Sequence, residues 1–208
     1  MPFGYLGTTP NQQLKNSGVF SVSEALQVQK DGEWGGSLEL IEEQTVSGVT
    51  AIDFTSIKET EYDVLLLQTL DIKHTSQAQT RLQFFESGVL ETASVYQYGF
   101  QQGQSNGLFS DALRSTSETF IYVTYSNNGT DTGDLESSYM YFYNLGNSAK
   151  YSSVSMHSIF QDNGVFKFQF GGGVLPQAST VDGIRLNFQS ASTNGTAKLF
   201  GIKQIWVT

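Results

Sequence analysis

The sequence predicts an all-β fold: an antiparallel β-sandwich, jelly-roll-like, over residues 37–208, preceded by an extended arm and one short helix over residues 1–36. Three observations predict it. Apolar residues recur with a period of two in many short segments, the mark of half-buried strands. Clusters of Gly, Asn, Asp and Ser separate those segments, as turns separate the strands of a sandwich or barrel. Only one stretch carries helix signals, so the strand–helix alternation of a parallel α/β sheet is missing.

Composition supports a large core and narrows the partners. The chain of 208 residues has 15 Phe, 10 Tyr and no Cys, so no disulfide or thiolate site is available. A domain of this size folds without a metal or a disulfide. Charged residues make up 15% of the chain, against roughly 25% in average domains, so solubility falls to Ser, Thr, Asn, Gln and Gly. The formal charge of -9 argues against nucleic acid or an anionic membrane as partner, since binding phosphates needs a basic surface. Val64–Leu67, the longest aliphatic run, is too short for membrane insertion. Met1–Pro10 lacks the basic start and apolar core of a signal peptide.

Taken in order, Met1–Ser17 is polar and punctuated by Pro2, Gly4, Gly7 and Pro10, which predicts an extended segment. Phe3, Tyr5 and Leu6 are costly to leave in water, so this arm docks either on its own domain or on a neighbour. The helix is expected over Ser21–Gly32. Ser21 and Glu24 have capping-box spacing, Phe20 can staple onto Ala25, and Val22, Ala25 and Leu26 form a thin apolar stripe. Trp34, before Gly35 and Gly36, is either an anchor or a core plug. Phe3, Tyr5, Leu6, Phe20, Val22, Leu26 and Trp34 are the candidate partner-binding residues.

Strands are then expected at Leu38–Glu43, within Thr45–Ile57, at Tyr62–Leu67, at Arg81–Phe85 and at Val89–Phe100. Gln101–Ser117 reads as a polar loop with a helical turn near Asp111. Glu118–Tyr125 and Ser138–Leu145 read as strands flanking a long turn, Ser126–Asp134. Asp162-Asn163-Gly164 joins Lys150–Phe160 to Val165–Phe170 in a hairpin, with Phe166, Phe168 and Phe170 on one face and Gly171–Gly173 ending the strand. Ile184, Leu186 and Phe188 alternate with Arg185, Asn187 and Gln189. The turn residues Ser190–Gly195 then predict a C-terminal hairpin with Thr196–Ile202, closing a sheet begun at Ala51–Leu67.

The motifs AIDFTSI (Ala51–Ile57), YDVLLL (Tyr62–Leu67), RLQFFESG, YMYFYNLGNSAKYSSVSMHS, GIRLNFQS and AKLFGI follow one another in this order. The order resembles a β-sandwich module of tailed-phage virion structural proteins, over about Leu38–Ile205. Leu199-Phe200-Gly201-Ile202 stands where that module ends in L-Y-G-I. NSGVFSVSEALQVQKDGEW resembles a segment placed before such modules. The resemblance implies a component of the virion exterior, made in the host cytoplasm: a head decoration, or part of the tail or its fibres. Its partners would be other virion proteins and itself, with a trimer expected from the few charges and many tyrosines. A host-glycan-binding module of the tail is the alternative.

Chemistry-bearing residues are sparse, and no enzyme and no cofactor is predicted. His74 and His157, the only histidines, read as surface or strand residues. Gly171-Gly172-Gly173 leads to Val174 and Pro176 rather than to a phosphate-binding helix. The densest acidic cluster, Asp131, Asp134 and Glu136, is the weak candidate for calcium, departing from the EF-hand spacing. Asn128-Gly129-Thr130 and Asn194-Gly195-Thr196 match glycosylation sequons but read as turns. Burial of Tyr139, Tyr141 and Tyr143 would favour a structural role; their exposure beside Asn or Asp would favour sugar binding.

Overall fold

A computed structural model describes residues 38–202. The arm, the helix and the candidate partner-binding residues Phe3, Tyr5, Leu6, Phe20, Val22, Leu26 and Trp34 lie outside the described residues.

The described chain is all-β, and every strand pairing in it is antiparallel. Its strands are β1 (Leu38–Val49), β2 (Ala51–Phe54), β3 (Val64–His74), β4 (Arg81–Glu86), β5 (Val89–Leu90), β6 (Tyr96–Gln104) and β7 (Phe109–Glu118). They continue with β8 (Ile121–Tyr122), β9 (Glu136–Tyr143), β10 (Tyr151–Asp162), β11 (Val165–Ala178), β12 (Val181–Asn187) and β13 (Thr193–Ile202). One sheet has eight strands in the order β1-β13-β3-β9-β10-β11-β6-β7. The other has five, β2-β12-β4-β5 with β8 paired to β4. The two-sheet arrangement is consistent with a β-sandwich.

One core lies between the sheets. Ile52, Phe54, Leu82, Phe84, Ile184 and Leu186 of the small sheet join Leu65, Leu67, Met140, Phe142, Ala197 and Leu199 of the large one. Phe84 meets Phe142 edge to face, with centroids 6.0 Å apart. Each fully buried Leu or Phe contributes about 1.5–3 kcal/mol, so the alternation that places them inward also fixes the register.

The C-terminal segments differ from expectation. Ile184, Leu186 and Phe188 do face the core, but β12 and β13 are not a hairpin. β12 pairs with β2 and β4 in the small sheet, and β13 pairs with β1 and β3 in the large one. The chain turns the corner through Phe188–Ser192, where Gln189 and Ser190 have positive φ. β1 and β2 make the same crossing at Thr50, whose carbonyl accepts from the Phe188 amide at 3.0 Å. The result is a bent two-stranded ribbon that changes sheets, a corner of the kind sandwiches use. Apolar residues on both segments must face one core from opposite sides, which a flat hairpin cannot do.

Other boundaries also move. Gln101–Ser117 is a strand hairpin, β6 into β7, with Asp111 inside β7 and no helical turn. Its alternation is hidden because the outward positions are polar and the inward side holds only Phe100, Gln102 and Leu113. Val89–Phe100 divides into β5 and β6, and β8 covers only two residues of Glu118–Tyr125. β11 runs past Gly171–Gly173 to Ala178, since its backbone continues to pair with β10 on one side and with β6 as far as Val174 on the other. Asn194-Gly195-Thr196 lies inside β13 rather than in a turn. The Asn163-Gly164 turn is as expected, with φ of 52° and 77°, the signs a two-residue type I′ hairpin requires.

Candidate functional site

Two places concentrate polar or unpartnered chemistry: a buried cluster at one end of the core and the outer face of the large sheet.

The buried cluster joins β3, β9, β13 and the loop that holds Asn128. His74 is 1% exposed and Glu136 is fully buried, so of the two expected places for His74, surface or strand, it takes the second, at the end of β3. The Thr193 hydroxyl donates to the Ala191 carbonyl at 3.3 Å, and His74 Nδ1 lies 2.7 Å from Thr193 Oγ1. The proton therefore belongs on Nδ1, leaving Nε2 to accept from Asn128 Nδ2 at 3.0 Å. Asn128 Nδ2 also donates to Glu136 Oε2 at 2.6 Å, and the Thr80 hydroxyl donates to the same oxygen. Glu136 Oε1 and Asn128 Oδ1 have no hydrogen-bond partner. Burial pushes the Glu136 carboxyl up to about 7, opposed by the Thr80 and Asn128 hydrogen bonds, and burial pulls the His74 imidazole down to about 4. His74 Nε2 and Glu136 Oε2 are 3.9 Å apart, but both are neutral near pH 6, so they form no ion pair. An acid and an imidazole with shifted pKa values invite a catalytic reading. At 0–1% exposure neither can touch a substrate, and the cluster instead ties three strands of the large sheet to the Asn128 loop.

The three acidic calcium candidates are turned apart. Asp131 is exposed, while Asp134 is buried and accepts from the Asp131 amide at 3.0 Å. Glu136 opens β9 and points into the core. Among the described residues no group of three or more His, Asp or Glu side chains is placed to hold a metal.

The outer face of the large sheet follows from strand register. Pairing sets Gln68, Tyr139, His157, Phe170 and Gln101 side by side in one row. The next row carries Leu40, Phe200, Leu66, Tyr141, Ser155, Gly172 and Gly99. On the other side lie Leu70, Ile159, Phe168 and Gly103. Tyr139 is 44% exposed, Phe170 43%, Ile159 41% and Phe166 40%, values usual for a polar side chain on an open sheet. The Tyr139 and His157 rings are 5.5 Å apart, and the Phe168 and Phe170 rings lie nearly parallel, 7° apart in plane. The outward positions of β9, β10, β11 and β6 carry no carboxylate, lysine or arginine. Charges sit toward the rims, with Lys198 and Glu43 paired at 3.2 Å on one side and Arg114 on β7 at the other.

Sequence reasoning placed Phe166, Phe168 and Phe170 on one face but not on the outside. Tyr139, Tyr141 and Tyr143 also point outward, though their neighbours are Ser, Gln and His rather than Asn or Asp. The signal available in the sequence was the continuous apolar or aromatic run at Val64–Leu67 and again at Tyr139–Tyr143, which fills both faces of a strand. A strand open to water on one side lacks this pattern.

No family model, curated protein or solved structure matches the chain.

Proposed function

We propose that this protein is a non-catalytic structural component of the exterior of a tailed-phage particle, in which a jelly-roll-like sandwich, carried by its N-terminal arm, assembles with virion proteins through the outer face of its large sheet. The observation that carries the assembly reading is that face: Tyr139, Ile159, Phe166 and Phe170 stand exposed among neutral polar residues and glycines in its middle, and charges sit only at its rims. Exposed apolar patches larger than a few hundred Å2 mark interaction surfaces, and an apolar centre within a polar rim is the anatomy of an interface. The virion setting rests on the ordered sequence motifs. A head or tail position, and synthesis in the host cytoplasm, belong to the same proposal.

The test is incorporation. Tyr139→Ser combined with Phe170→Ser should leave a folded domain that no longer enters particles, as should removal of residues 1–36. Normal incorporation of both variants would defeat the reading.

A second reading, host-glycan binding, is favoured by the exposed rings of Tyr139 and Tyr143. It predicts retention on host envelope polysaccharide that is lost in Tyr139→Ser while incorporation persists. Release of reducing sugar by the purified protein would move it to an enzymatic class.

A further inference from the structure

We infer that the outer face of the large sheet is a two-fold interface with a second copy of this chain, in which an aromatic ridge of each copy enters a glycine trough of the other. The inference rests on reading this face as an assembly surface and names its partner.

Ridge and trough lie side by side. Phe166, Phe168 and Phe170 follow one another on β11 and form the ridge. Two residues on, Gly172 pairs with Gly99 of β6, and neither has a side chain. The trough above them is bordered by Phe170 on one side and by Val174 and Gln97 on the other, and Arg114 closes its end. The part over Gln97, Gly99, Gly172 and Val174 is an open hollow of about 710 Å3, and Phe170 borders the smaller hollow beside it over Gly99 and Gly171; there is room for an aromatic side chain. A Cβ at Gly99 would meet nothing within 4 Å, so the space lies outside the sheet rather than within its packing.

Size and symmetry choose the occupant. The six strands from β3 to β7, which hold both ridge and trough, span about 29 Å, and four rows of outward residues span about 27 Å, giving about 800 Å2. That equals the roughly 800 Å2 each partner contributes to a stable complex. A surface that carries both a projection and its receptor is self-complementary, as an isologous contact requires. Because both lie on one face, two copies must meet face to face, which a two-fold axis achieves. A threefold ring would need ridge and trough on different sides, so the structure favours a dimer over the trimer expected from composition. Arg114 at the end of the trough can meet the face of an entering ring.

The experiment uses the full chain in sedimentation equilibrium from low to high micromolar concentration. The wild type should dimerise reversibly. Gly99→Leu fills the trough while making the face more apolar, and should weaken dimerisation at least about tenfold with no loss of thermal stability. Phe170→Ser should weaken it similarly. Dimerisation of Gly99→Leu as tight as that of the wild type would show general stickiness and overturn the inference. A wild type that stays monomeric would overturn it too. In that case, failure of Phe170→Ser to enter particles would preserve the assembly reading, whereas normal entry would remove both.

Discussion

The ring of Phe168 lies across Gly103 of the neighbouring strand, so that a Cβ at position 103 would fall 2.4 Å from Phe168 Cζ. Phe168 thereby restores to β6 the lateral cover that glycine lacks, and Gly103 is buried although it points to the outside. Gly103→Ala must push the ring away and should cost about 1–3 kcal/mol in urea unfolding. In a Phe168→Ala background the same substitution should cost much less, because the two residues share one contact. Additive costs would show that the ring does not lie over the glycine.

The buried pair predicts opposed pH dependences. Glu136 titrates near 7 in the fold against an ordinary 4.5. Between those values the folded chain holds a proton the unfolded chain has released, so this group makes stability fall as pH rises. His74 titrates near 4 against an ordinary 6.5. Between those values the unfolded chain holds the extra proton, so this group makes stability rise with pH. From about pH 4.5 to 6.5 the two contributions cancel, and these groups should leave wild-type stability nearly flat. Glu136→Gln should expose the rise alone and His74→Gln the fall alone, each on the order of 2–3 kcal/mol across its window. Chemical denaturation at several pH values decides this, and identical profiles for the two variants would contradict it.

Calcium should have no effect on stability. Asp131 is exposed, Asp134 is engaged with the Asp131 amide and Glu136 faces inward. Unfolding temperatures in excess calcium and in a chelator should coincide, and Asp131→Ala should be close to silent. A rise of several degrees with calcium, removed by Asp131→Ala, would show that these carboxylates converge.

The core was legible because its signal is local. Ile52, Phe54, Leu82, Phe84, Ile184, Leu186 and Phe188 alternate with polar residues, and Asn163-Gly164 specifies its own turn. The destination of each strand was not legible. β12 and β13 have the pattern and spacing of a hairpin, and nothing within either segment says that they belong to different sheets. That depends on the parallel bend of β1 into β2, more than a hundred residues away. The outer face stayed hidden for a related reason. Phe166, Phe168 and Phe170 share one side by period, but period does not say which side is the core. The buried cluster was equally out of reach, since His74, Thr80, Asn128, Glu136 and Thr193 meet only after the large sheet has formed and the Asn128 loop has docked on it.

The most direct test of the assembly face is hydroxyl-radical footprinting of the protein in its native assembly and as the dispersed subunit. Tyr139, Phe166 and Phe170 should lose most of their reactivity on assembly, while Phe85 and Val89 on the small sheet remain as reactive as before. Equal reactivity of Tyr139, Phe166 and Phe170 in the two states would show that the face stays open to water and would contradict its role in assembly.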